Sequence, residues 1–557
     1  MSKLINYDTD VSTKILNGVN KTAQIVGETL GPLGNNVILN QNGYTKITKD
    51  GITVLRSVEF SDRHENVAAD LLREASDKTN REAGDGTTGT CILAASIYSK
   101  GLKHCVAGGN KIQIRNGIVK AANFVEKFIN EKMSKSVSSK DEIRQVAKIS
   151  SNHSDEIADV LSDVFDKIGK NGTIKIESGN GTTIDSKIVE GMNFAQGYLS
   201  PFFVSNESME CDLDHPYIFI VDKKISNIQE ILVPLQELSQ LGKPILIIAD
   251  NVEGDALSTL VLNKLRGLPV CAVKSPSYGQ NKINMLHDIA ILTGGKVISE
   301  ETGIALNEAT STSGILGIAK RVIVTKDSTT IIDGYGDPAA INERIEQLKS
   351  MIEKSTDEYD KKKMQERLAK LDGGVGIISV GAKTESELRE KKDLVDDAFC
   401  ACKAAVANGI VPGGGIALLL AKNELYNYTS ENSDEFVGDE ILGAKVLWES
   451  LDAPIRKILE NAGESADIIM AEIYDNQDEN FDFGYDVLNK KFGKMLDLGI
   501  IDPSLVIISE VKNASSIASL LLTTSASIVE EKTEEKTPSP MTNSMMGGMG
   551  MPGMGMM

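Results

Sequence analysis

A chain of 557 residues is too long for one hydrophobic core and implies three or four domains of roughly 150 residues. With 59 Lys and Arg against 79 Asp and Glu, its formal net charge is −20, which excludes the basic face that neutralising a nucleic-acid backbone requires and suits an acidic soluble surface or chamber wall. Six cysteines without paired metal spacing (Cys91, Cys105, Cys211, Cys271, Cys400, Cys402), an N-terminus without signal or transit character, and no run of about 18 apolar residues read as a span lead us to expect a cytoplasmic protein without a membrane partner.

Residues 1–133 read as largely helical, with Ala/Leu/Ile-rich runs at 67–76 and 90–103. Three loops punctuate them. Thr29-Leu30-Gly31-Pro32-Leu33-Gly34 closes a first helix, and Lys49-Asp50-Gly51-Ile52-Thr53 sets a cation beside a carboxylate. The third, Gly84-Asp85-Gly86-Thr87-Thr88-Gly89, is the most informative. Its glycines let backbone N–H groups approach a polyphosphate, its threonines open an apolar helix whose N-terminus favours anions, and Asp85 is placed to hold a hard cation against the phosphates. Each loop alone also reads as a plain turn. No Gly-Lys pair is followed by Ser or Thr, so there is no Walker A loop and a phosphate site has to be assembled from separated segments.

From Pro216 the texture changes to short β-branched runs alternating with helices: 217–221, 244–248, 270–273 and 322–324. This predicts an α/β unit inserted in an α-rich one. Ile341, Ile345, Leu348 and Ile352, then Met364, Leu368 and Leu371, predict a helical hairpin. Residues 375–529 return to helical texture. Leu388, Val395, Phe399, Cys402 and Val406 define one helical face, from which Asp397 points away; by pattern alone it is a solvated carboxylate. Val411-Pro412-Gly413-Gly414-Gly415 opens a further helix with three amides free. Acidic stretches at 426–438 and 473–483 read as exposed insertions, and the Lys/Glu/Thr segment and Gly/Met-rich tail of 531–557 as disordered.

In this order these residues resemble the group I chaperonins, the GroEL-like ATP-driven folding machines. The likeness includes the three loops, Gly197-Tyr198-Leu199-Ser200-Pro201, 222–228, Leu292-Thr293-Gly294-Gly295, 330–334, the triple glycine and Gly499-Ile500-Ile501-Asp502-Pro503, and it spans about residues 3–529. It implies a multidomain α+β/α/β chaperonin fold. Residues 1–133 and 409–530 would form an α-helical equatorial ATP-binding domain, 134–190 and 375–408 a small intermediate hinge domain, and 191–374 the inserted α/β apical domain. Hinges would lie near Gly191 and Gly374 and near Ser138 and Gly409; relatives usually carry proline at Ser138.

The resemblance also implies roles. Asp397 would orient the attacking water with Asp50 assisting. Leu30, Gly31, Pro32, Asp85, Gly86, Thr87, Thr88 and Gly414 would meet the phosphates, with Mg²⁺ on Asp85 and K⁺ near Thr29 and Lys49. Asp502 would take the ribose, and Ile149 and Ile500 the base. Two positions depart from the family: Gly89 stands where a third threonine is usual, and Asp486-Val487-Leu488 where Asn-Ala-Ala meets the adenine.

Tyr198, Phe202, Phe203, Leu232, Leu235, Leu257, Val261 and Leu262 match an exposed apolar rim that holds non-native polypeptides or a co-chaperonin lid, although their helical spacing alone reads as a core stripe. The assembly implied is a heptameric homo-oligomeric ring, single or double. The alternative is a ring-shaped polypeptide-binding scaffold with weak or non-productive ATPase cycling.

Overall fold

In the computed structural model, the described residues are 3–530 apart from 42–43, 138, 152, 170–172, 180, 207–208, 356 and 478–480, so Ser138 and the 531–557 tail lie outside them. Buried apolar side chains gather in three large cores.

The first core joins the two ends of the chain. Helices Asp8–Gly27, Arg63–Ala83, Thr87–Val106 and Lys111–Phe128 pack with Ile416–Glu431, Glu440–Ser450 and Ser504–Leu522. Ser504–Leu522 is its axis, touching three of the N-terminal helices and buried along most of its length, most of its serines and Asn513 included. By length and composition it could cross a membrane, contrary to the sequence expectation that no such run exists, but its side chains are buried within the protein.

Residues 191–372 hold the second core, around a mixed sheet. Tyr217–Ile220, Ile245–Ala249 and Val270–Lys274 are parallel neighbours, with Ile245 opposite both Tyr217 and Val270. Their unbroken apolar runs fit strands covered on both faces. Gly317–Val324, Thr329–Gly334 and Gly191–Phe194 continue the sheet antiparallel, and helices Pro338–Lys354 and Glu358–Asp372 form the expected hairpin.

The third core takes chain from both sides of this insert. Thr173–Ser178 and Val375–Val380 pair in parallel, Ile184–Val189 joins antiparallel, and Lys140–Ser150, Asp155–Ile168 and Glu385–Asn408 pack on one another and on the sheet. Ile410 and Ile501 also belong to it, which ties it to the first core close to the triple glycine.

Two features differ from the sequence reading. The helical reading of 1–133 missed a strand Lys3–Tyr7, paired with Ala526–Glu530, and a hairpin Val37–Gln41/Tyr44–Thr48. These ribbons are too short to give a periodic signal against the long helices around them. The 426–438 segment is mostly exposed, as expected, but two aromatic side chains anchor it: Tyr428 stacks on Phe124 with ring centroids 4.1 Å apart, and Phe436 is buried beside it. In 473–483, Ile473 is likewise buried, its apolar side chain seated in the first core.

Candidate functional site

The Gly84–Gly89 loop joins two helices through two left-handed glycines. Gly84 (φ 75°) ends Arg63–Ala83, its amide donating to the Asn80 carbonyl at 2.8 Å, and Gly86 (φ 85°) precedes Thr87–Val106. A Cβ on Gly84 would lie 2.0 Å from the Cβ of Cys400, so glycine here lets the Glu385–Asn408 helix descend onto the loop. That descent brings Asp397 to the site. Between the loop's glycines, Asp85 accepts from the Gly86 amide at 2.6 Å and from Ser150.

The other loops are fixed around it. Asp50 caps helix Gly51–Ser57, accepting from the Ile52 and Thr53 amides at 3.2 and 3.1 Å. Lys49 Nζ donates to the Pro32 carbonyl at 2.9 Å, joining the first loop to the second. Asn461, unremarked in the sequence, donates to the Gly27 and Leu30 carbonyls, each at 2.9 Å. The three amides expected to be free at the triple glycine are not all free: Gly413 donates to the Ile500 carbonyl at 2.9 Å, and Gly414 to Asp502.

These segments enclose a cavity of about 1290 Å³. Its lining includes every residue assigned to nucleotide or catalysis from the sequence: Thr29, Leu30, Gly31 and Pro32; Lys49 and Asp50; Asp85 to Gly89; Ile149; Asp397; Gly414; Asp486, Val487 and Leu488; Ile500 and Asp502. It also includes groups sequence reasoning missed, notably Arg144, Lys148, His153, Asp393 and Glu510. The charge of Asp486, where the sequence departs from the family, is engaged locally. Asp486 accepts from the Leu488 and Asn489 amides at 2.9 and 3.2 Å, closing its own turn.

The cavity is strongly acidic. Burial, then the neighbouring carboxylates of Asp85 and Asp50, push Asp397 up to about 8. Burial and Asp85 push Asp502 up to about 7, and burial also raises Asp85. Five cations, Lys46, Lys49, Arg144, Lys148 and Arg389, also line it, but among the described residues none forms an ion pair with Asp85, Asp397 or Asp502: Arg144 and Lys148 are engaged by Asp155, Arg144 also by Asp159, and Arg389 by Glu385. For an acid raised in this way, the enclosed arrangement is favoured at pH below the usual carboxylate value and loses stability as pH rises through the raised one, about 8 for Asp397. Divalent cations arriving with a polyphosphate would remove that penalty, and a helix N-terminus lies beside them for the phosphate oxygens.

The rim residues divide. Phe202 and Leu262 are exposed, the latter 53 %, and Tyr198, Leu232, Leu257 and Val261 are half-buried. Phe203 and Leu235 are not rim residues. Phe203 is fully enclosed, and Leu235, 4 % exposed, lies with Pro234 and Leu238 on the inward stripe of helix Leu232–Gln240. Val233 and Leu265, unnoticed before, are exposed instead. Leu265 follows Leu262 by three residues, a signal the spacing contained. The helix Gly254–Leu265 packs on the Pro201–Phe203 turn, so Phe202 and the exposed leucines share one face.

Residues 22–532 match the TCP-1/cpn60 chaperonin family. In fold the chain is similar to the chaperonin gp146 from bacteriophage EL 2 (Pseudomonas aeruginosa), crystallised in the presence of ATP-BeFx. Crystal form II aligns at 23 % identity with a TM-score of 0.73, covering 95 % of this chain and 100 % of that one. Crystal form I aligns at 22 % identity with a TM-score of 0.65, covering 95 % and 99 %.

Proposed function

We propose that this chain, which belongs to the TCP-1/cpn60 chaperonin family, is driven by ATP: it captures non-native polypeptides on the exposed apolar face of the inserted domain and releases them through nucleotide-dependent movement of its domains. One observation carries the reading. Segments hundreds of residues apart converge on a single cavity where a helix N-terminus faces a set of buried carboxylates that, among the described residues, have no ion-pair partner. Such a lining is unfavourable when empty and favourable around a polyphosphate with its cations.

In this reading the amides of 30–32 and 86–89 and the hydroxyls of Thr87 and Thr88 bind the phosphates, Asp502 the ribose, and Ile149 and Ile500 the base. Asp85, enclosed and, among the described residues, without an ion-pair partner, fits Mg²⁺, which when bound neutralises phosphate charge. Thr29 donates to the Val26 carbonyl at 2.8 Å, leaving its lone pairs for K⁺ beside Lys49. Asp397, held opposite Asp85 by the descended helix, orients a water for attack on the terminal phosphate, with Asp50 as its neighbour.

Assembly into a heptameric ring, single or double, is part of the proposal. Its support is a pair of two-stranded ribbons, each carrying an exposed cross-strand isoleucine pair, Ile38 with Ile47 and Ile5 with Ile528. Isolated ribbons of this length are marginal, and such edges call for a neighbouring subunit. A lid protein docking on the apolar face, and a cytoplasmic setting consistent with six free thiols, complete the reading.

Asp85→Ala is expected to weaken binding of a fluorescent ATP analogue in Mg²⁺ on the order of tenfold or more, because one removed carboxylate takes away a cation's anchor. Titration by fluorescence anisotropy checks this, and unchanged affinity would contradict the site.

A further inference from the structure

Glu510 is the only acid on the largely buried axial helix Ser504–Leu522, and it faces the nucleotide cavity. Its residue is only 7 % exposed, and among the described residues it has no hydrogen bond and no ion pair, whereas a buried charge is ordinarily paired. Its position is tied to Gly89. A Cβ on Gly89 would lie 2.1 Å from Oε1, 2.5 Å from Cδ and 2.8 Å from Oε2 of Glu510, and a Cβ on Gly86 would lie 3.0 Å from Oε1. The carboxylate therefore occupies the volume that any side chain at position 89 would take, directly over the first turn of the phosphate-facing helix.

We propose that Glu510 is a cation-binding residue, holding a second divalent cation against the nucleotide's phosphates beside the one on Asp85. This rests on the nucleotide reading of the cavity and deepens it. Glu510, Asp502 and Asp85 repel one another, and burial with these two neighbours holds the Glu510 carboxyl well above the usual carboxylate range. No ion pair compensates any of the three among the described residues. A triphosphate adds further negative charge, and one divalent ion offsets only two charges of the total. Among the described residues there is no group of three or more ligating side chains arranged to complete a metal shell, so phosphate oxygens must supply the rest, and the second cation comes with the nucleotide.

The test counts Mn²⁺ by electron paramagnetic resonance on the full-length assembled protein saturated with the non-hydrolysable analogue AMP-PNP. The expected result is two Mn²⁺ per subunit for the wild type and one for Glu510→Gln, which keeps the side chain's volume. The pair Gly89→Thr/Glu510→Ala, in which the threonine takes the vacated space, is expected to bind AMP-PNP with one Mn²⁺, while Gly89→Thr alone loses AMP-PNP affinity on the order of tenfold or more. One Mn²⁺ in the wild type, or two in either variant lacking the carboxylate, would overturn the proposal and leave the nucleotide site standing. Failure of the wild type to bind AMP-PNP at all would overturn both.

Discussion

Asp397→Ala is expected to slow ATP hydrolysis on the order of tenfold or more while leaving ATP binding within a few-fold. The asymmetry follows from where the carboxylate sits. Asp397 is on the far side of a helix whose Val395, Ala398 and Cys402 are packed in the third core, and it meets Asp85 and Asp50 across the cavity. Orienting a water matters when that water attacks, so its loss appears in turnover rather than in ground-state affinity. Removing the carboxylate also relieves like-charge repulsion against Asp85 and Asp50, which favours binding, not the reverse. Single-turnover hydrolysis together with equilibrium nucleotide titration separates the two quantities. Equal turnover in the variant and the wild type would reject the role.

Leu235→Ser and Leu262→Ser are expected to part company, although the family resemblance places both leucines on the same rim. Leu235 is enclosed with Leu238 in the second core, so serine there removes buried apolar volume and strands a hydroxyl. The expected loss is about 3–5 kcal/mol, seen as an early thermal transition by circular dichroism. Leu262 is half exposed, so its loss of stability is within about 0.5 kcal/mol, but it removes part of the apolar face shared with Phe202 and Leu265. Capture of a denatured test protein, read as suppression of light scattering, falls in Leu262→Ser at unchanged melting temperature. Full capture by that variant would move the polypeptide site elsewhere.

What the sequence disclosed depended on how local each signal is. The Gly-Asp-Gly loop and its helix are written in adjacent residues, and the buried strands in unbroken β-branched runs, so both were legible. Asp397 was legible only through family resemblance, because helical periodicity shows that a residue leaves one face without showing what waits on the other. Leu235 illustrates the same limit from the opposite side: a stripe at three- and four-residue spacing is equally a rim or a core until the sheet beneath it is seen. Glu510 was not legible at all. It is the one acid on its helix, set among serines, Lys512 and Asn513 as well as apolar residues, and its meaning lies in Gly89, over 400 residues away in the chain and in contact in space. The terminal ribbon was hidden for a similar reason, since Lys3–Tyr7 finds its partner only at Ala526–Glu530.

The central claim is that nucleotide chemistry in the cavity drives release of polypeptide from the apolar face. It is tested most directly by capturing a chemically denatured enzyme on the assembled protein and following recovery of that enzyme's activity after adding ATP, ADP or no nucleotide. The account predicts recovery with ATP well above the other two, and loss of that gain in Asp397→Ala despite normal capture. Polypeptide that stays bound and inactive while the wild type hydrolyses ATP would contradict it and identify the protein as a binding scaffold.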